Sequence, residues 1–152
     1  MRLHLTVQLA SRARPLPGTA SFARWARAAL PAGARGNAEI TVRIVDARES
    51  AALNARYRGK RGATNVLSFS HEPPPGQPGL AGDLVICAPL VTREAAAQEK
   101  RPRAHWAHMV VHGILHLRGY DHVHETDAKV MEALETRVLK RLGFADPYRL
   151  DR

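Results

Sequence analysis

Cysteine is all but missing: Cys87 is the single one among 152 residues. No intrachain disulfide can form, a reducing cytoplasmic setting is expected, and Cys87 reads as a small buried residue. Long apolar runs are missing too. None approaches the ~20 residues of a membrane-spanning helix, so a soluble chain with no membrane partner is expected. Acidic residues are scarce in a patterned way, with none before Glu39 and none between Asn54 and His71. Lys and Arg number 23 against 14 Asp and Glu, a formal charge of +9. An arginine-rich composition explains the choice of Arg over Lys better than it explains the missing carboxylates. A polyanion is therefore the expected partner, nucleic acid ahead of any anionic surface.

Length suits one domain spanning residues 1–152. The Arg-rich, acid-free start resembles a transit peptide in composition, yet Leu3, Leu5, Val7 and Leu9 alternate as one face of a strand. Phe22, Trp25, Ala26 and Ala29 lie at helical spacing within Thr19–Leu30, and Ile40, Val42 and Ile44 alternate as a half-buried strand. Asp46 is placed to cap a helix running to about Tyr57. Thr64–Phe69 and Leu84–Cys87 form a predicted hairpin across the Pro/Gly loop Glu72–Gly82. Helices are expected over Thr92–Lys100, from Pro102 through Leu117, and over Thr126–Leu142, the last with Val130, Leu134 and Val138 as its core stripe and Met131 and Leu142 widening it. The expected class is α/β (α+β): one mixed sheet of about four strands packed with about five helices.

Six of the eight histidines fall between positions 105 and 124. On a helix, four-residue spacing puts His112 and His116 on one face, one turn apart. Gly119 can end that helix and return His122 to the same point. Three neutral imidazoles suit one zinc ion, placed at the end of a helix with one coordination position open to water. The spacing is that of the zinc-protease motif H-E-x-x-H-x-x-G-x-x-H, except that position 113 is Gly where those proteases carry their general base. His108, one turn earlier, is a rival ligand, a substrate-facing group or an interhelical contact. His105 and His124 are expected at the surface. Asp121 either fixes an imidazole or closes the turn.

A second group is basic: Arg56, Arg58, Lys60 and Arg61 crowd around Gly59 and Gly62. Such a segment can follow a phosphate backbone, with Tyr57 available for stacking on a base. The plain alternative is a solvated, mobile turn.

In order along the chain stand Leu53-Asn54-Ala55-Arg56-Tyr57-Arg58, Thr64-Asn65-Val66-Leu67-Ser68-Phe69, Gly82-Asp83-Leu84-Val85-Ile86, and His112, His116 and His122. These resemble the motifs of the YbeY endoribonucleases, bacterial rRNA maturation factors. The chain departs from that family's usual pattern at Arg61–Ala63, at Ser70 and at His105. The resemblance implies metal-dependent cleavage of single-stranded RNA in rRNA maturation, including 3′-end processing of 16S rRNA, and a part in ribosome quality control. It also implies zinc as the cofactor, with the small ribosomal subunit or a ribosomal protein as a further partner. Arg58 would be the family's functional arginine beside the metal, completing a catalytic set with His112 and His116. Either zinc activates a water, or it polarises the phosphate while the RNA 2′-hydroxyl attacks. One rival is a zinc peptidase or amidase, which Gly113 and the basic surface oppose. Another is a non-catalytic RNA or ribosome assembly factor with structural zinc, which an open three-ligand site opposes.

Overall fold

The computed structural model describes residues 1–73 and 75–149. Strand β1 (Arg2–Ala10) and helix α1 (Thr19–Ala29) are followed by β2 (Asn37–Val45) and α2 (Ala47–Arg58), then β3 (Val66–His71) and β4 (Gly79–Cys87). Three helices complete the chain: α3 (Ala88–Ala97), α4 (Pro102–Leu117) and α5 (Glu125–Arg141). The four strands form one mixed sheet in the order β1-β2-β4-β3. β1, β2 and β4 are parallel, and β3 pairs antiparallel with β4 as the hairpin pattern requires. Parallel neighbours need a crossover, which α1 supplies between β1 and β2.

The sheet is covered on both faces. On one, Ile40, Val42, Ile44, Leu84 and Ile86 pack with α1, α4 and α5 in a single apolar cluster, where Phe22 and Trp25 are fully buried. On the other, Val45, Leu67, Val85 and Cys87 form a smaller cluster under Leu53 of α2. α2 is also held by a forked ion pair, with Arg43 Nε 2.6 Å and Nη2 3.0 Å from the Glu49 carboxylate. α4 packs against α1, α3, α5 and the sheet and, past its N-terminal end, is apolar except along one stripe, where His105, His108, His112 and His116 follow one another at helical spacing.

Several boundaries differ from the sequence reading. β3 starts at Val66 and not at Thr64, because Ser50 Oγ accepts from the Thr64 N–H (2.9 Å) and donates to its carbonyl (2.8 Å), taking both groups out of the ladder. β4 starts at Gly79, five residues before the expected Leu84, because parallel pairing with β2 begins at Asn37–Gly79. That shortens the preceding loop, of which Pro74 lies outside the described residues. α3 follows β4 directly, with Pro89 in its first turn. Asp46 does stand at the N-cap of α2, but its carboxylate accepts from Ser11 Oγ and the Arg12 N–H, not from its own helix. Val130 is 54% exposed, and the buried stripe of α5 is Met131, Glu135, Val138 and Leu139.

Candidate metal centre

The end of α4 is shaped by its last turn. Gly119 adopts φ +100°, its N–H reaches the His116 carbonyl (3.0 Å), and the Tyr120 N–H reaches the Leu115 carbonyl (3.1 Å). This paired cap satisfies two terminal carbonyls and reverses the chain. Asp121 Oδ1 then accepts from the Val123 N–H at 2.9 Å, closing the turn rather than bonding an imidazole. His122 is thereby returned to the α4 face that carries His112 and His116. One ring nitrogen or its equivalent from each of the three lies within 4.8 Å of the others.

Below these rings lies a carboxylate. Glu135 of α5 has no solvent exposure, and its Oε1 is 2.7 Å from His112 Nδ1 while its Oε2 is 2.8 Å from His108 Nε2. The Tyr148 hydroxyl also donates to Oε2. Burial favours the neutral acid, but the two imidazole hydrogen bonds outweigh it and bring Glu135 down to about 2. An ionised Glu135 fixes the proton of His112 on Nδ1 and leaves Nε2 with a free lone pair. That Nε2 lies 3.1 Å from His116 Nε2. Burial, then the nearby His112 and His122, lowers His116 to about 4, so its ring is neutral at pH 7. At this distance either the His116 ring carries its proton on Nε2 and donates it to His112, or both lone pairs face inward, an arrangement that a shared cation stabilises. Two nitrogens on one tetrahedral zinc at ~2.0–2.1 Å stand about 3.3 Å apart, so the donor set fits such an ion.

The rings open into a cavity of about 830 Å³, also lined by Tyr57, Arg58, Ser68 and Tyr148. Arg58, at the end of α2, therefore shares this cavity with the histidines. Arg56, with its guanidinium 5.3 Å over the Tyr57 ring, is exposed, as are Lys60 and Arg61, and none of these three lines the cavity. The loop that carries the cations is pinned from beneath. Asn54, 3% exposed, donates from Nδ2 to the Gly62 carbonyl at 2.9 Å, and Ser50 holds Thr64. It is a fastened loop rather than a loose turn.

Gly113 has a packing reason. A Cβ there would meet Leu84 Cδ2 at 2.7 Å and Ser68 Oγ at 3.3 Å, so a side chain at this position would have to push the end of Leu84 aside or lift α4 from the sheet. His108 is buried and bound to Glu135, an interhelical contact outside the three-histidine group. His105 corrects the surface expectation: it is 2% exposed and its Nε2 lies 2.9 Å from Glu94 Oε1. Burial lowers its pKa. The signal was the apolar run around it, Trp106, Ala107, Met109, Val110 and Val111, which places this part of α4 in the core. His124 is exposed, as expected. Sequence reasoning missed Glu135 and Tyr148; a lone acid inside the apolar stripe of α5 was the available sign for Glu135, and nothing local marked Tyr148.

Comparison with known proteins agrees along nearly the whole length. The sequence model of a family described as "Endoribonuclease YbeY" matches residues 16–143. The protein named endoribonuclease YbeY from Methylococcus capsulatus (strain Bath) is 56% identical over 148 residues, covering 97% of this chain and 96% of its own. A solution structure from Thermotoga maritima superposes with a TM-score of 0.57 at 20% identity, covering 96% of this chain and 99% of that one, a likeness of fold. No helix among the described residues is long and apolar enough to cross a membrane.

Proposed function

The chain belongs to the YbeY endoribonuclease family, and from that premise we propose that it is a single domain that cuts single-stranded RNA with one divalent ion. Zinc is the ion that three imidazoles suit best, held by His112, His116 and His122. Its natural substrate is rRNA, at the maturing 3′ end of 16S rRNA, with the small ribosomal subunit or one of its proteins as a partner in ribosome quality control in the cytoplasm. The observation that carries the reading is the convergence of the three rings in one cavity with Arg58.

When bound, the ion supplies Lewis-acid charge and acidifies water. The protein's own groups do the rest. Glu135 keeps the His112 proton on Nδ1, so that Nε2 stays free to face the centre. Its two oxygens already accept from His108, His112 and Tyr148, so Glu135 orients the site and does not collect the proton of the attacking group. The Arg58 guanidinium, permanently charged, receives the phosphoryl oxygens and stabilises the charge that builds on them. Tyr57, 56% exposed and beside Arg58, offers a ring to a neighbouring base.

Chelation should abolish cleavage of single-stranded RNA, and added zinc should restore it. Arg58→Ala should lower kcat by roughly 100- to 1,000-fold while zinc content, measured by metal analysis, stays near one ion per chain. Loss of metal in step with activity would show that Arg58 serves the centre and not the phosphate. A chain that binds RNA, keeps its zinc and never cuts is instead an assembly factor.

A further inference from the structure

We propose that Tyr148 is a nucleobase platform of the catalytic cavity, its ring stacking on a base next to the scissile phosphate; this rests on the single-strand RNA reading above. Tyr148 is 43% exposed and lines the cavity together with the three histidines and Arg58. Its hydroxyl is committed, because it donates to the buried Glu135 carboxylate. Burial, then that hydrogen bond, raises its pKa, so the phenol stays neutral. What the side chain offers the cavity is therefore the ring rather than the oxygen.

The ring is also braced. His108, itself 7% exposed, packs against it with centroids 5.4 Å apart and planes at 87°. A side chain held at its hydroxyl end by Glu135 and by His108, whose Nε2 lies 3.3 Å from the phenol oxygen, has lost much of its rotamer freedom before any ligand arrives, which favours binding to the exposed part of the ring. Five large apolar side chains are conspicuously exposed among the described residues, and two of them, Tyr57 and Tyr148, line this one cavity. They reach it from different elements: Tyr57 leans on Phe69 of β3 at 5.2 Å, and Tyr148 on His108 of α4. Aromatic surfaces beside a centre for one anionic linkage suit a chain whose phosphates alternate with flat, unpaired bases. A duplex would keep those bases stacked on one another and unavailable.

The test is steady-state cleavage of a short single-stranded RNA by the zinc-loaded wild type, Tyr148→Phe and Tyr148→Ala. Each is assayed on the intact RNA and on RNAs abasic at the nucleotide on either side of the cut. Base stacking predicts that Tyr148→Ala raises KM roughly 5- to 100-fold with kcat and zinc content little changed. Tyr148→Phe, which keeps the ring, should hold KM within about twofold, consistent with sequence-tolerant stacking. One abasic RNA should raise KM for the wild type and leave that of Tyr148→Ala unchanged, since the partner of the ring is already gone. An unaltered KM in Tyr148→Ala overturns the inference, as does equal loss of zinc in the Ala and Phe variants, which would make Tyr148 only a prop for Glu135. A wild type inert on single-stranded RNA overturns the functional reading first.

Discussion

On the helical side of the cavity, His112 is tied through Nδ1 to a carboxylate with no solvent exposure, and that carboxylate is tied in turn to His108 and Tyr148. On the loop side, Arg58 lies exposed at the end of α2, and the fastening passes through the backbone beneath it, at Asn54 and Ser50. The first side is ordered side chain by side chain. The second orders only the path of the chain and leaves its cations in water. On the function proposed above, the difference follows from what each side would hold. A small ion demands donor atoms fixed to tenths of an ångström, and each buried polar group that fixes them needs its own partner. A flexible polyanion is met well enough by charges on long side chains over a firm base, because Coulomb attraction is forgiving of angle.

The comparison breaks most severely at the helical side. His116→Ala should lose stoichiometric zinc and at least about 1,000-fold in cleavage, the scale set by removing a central catalytic element, while circular dichroism reports a retained fold. Unfolding of this variant would show that the metal is structural and that the helical side is ordered for stability alone. Glu135→Gln is a smaller step: zinc affinity should fall about 10- to 100-fold, read by competition with a chelating dye, with single-stranded RNA affinity unchanged. The same pair of groups sets an acid limit for the metal-stripped protein. His116 is lowered from 6.5 to about 4, so the unfolded chain takes up that proton first and stability falls as pH drops from 6.5 towards 4. Glu135 is lowered from 4.5 to about 2, so its contribution is whole above 4.5 and lost as pH falls towards 2. Both act in one direction. Thermal melts of stripped wild type should decline from pH 6.5 downward, and Glu135→Gln should make that decline shallower below 4.5, where His116 and the Arg43-paired Glu49 still contribute.

The two sides also differed in how far the sequence disclosed them. The His112, His116, Gly119 and His122 spacing encodes its own geometry, since one helical turn and one left-handed glycine suffice to bring the rings together. The sheet was legible for a similar reason, as β2 and α1 carry their periodicity openly. Glu135 was not legible, because its meaning comes from α5 crossing α4, a contact between positions 23 residues apart. Gly113 could be recognised as an absent base but not as a packing contact with Leu84, which depends on how closely α4 approaches the sheet. His105 was misplaced because a single polar residue says little about burial, whereas the apolar run around it says a great deal. The basic loop announced its charge and hid its fastening, since Ser50 and Asn54 look like ordinary helix-surface polar residues until the chain returns over them.

Lys60 tests the loop side at its weakest point. It is exposed and lies outside the cavity lining, beside a backbone held by the Lys60 N–H to Asn54 carbonyl bond of 3.3 Å. If its work is only to follow the RNA backbone, Lys60→Ala should weaken binding of single strands without regard to sequence. It should also make the slope of log affinity against log salt shallower by about 0.7, the value of one phosphate contact on a single strand. Values of kcat at saturating RNA should not move, and Arg61→Ala should behave alike. A fall in kcat with an unchanged salt slope would mean that the ammonium acts on the reacting phosphate itself. The loop side would then share the exact placement of the helical side, and the contrast between a fixed centre and a forgiving electrostatic approach would no longer describe this cavity.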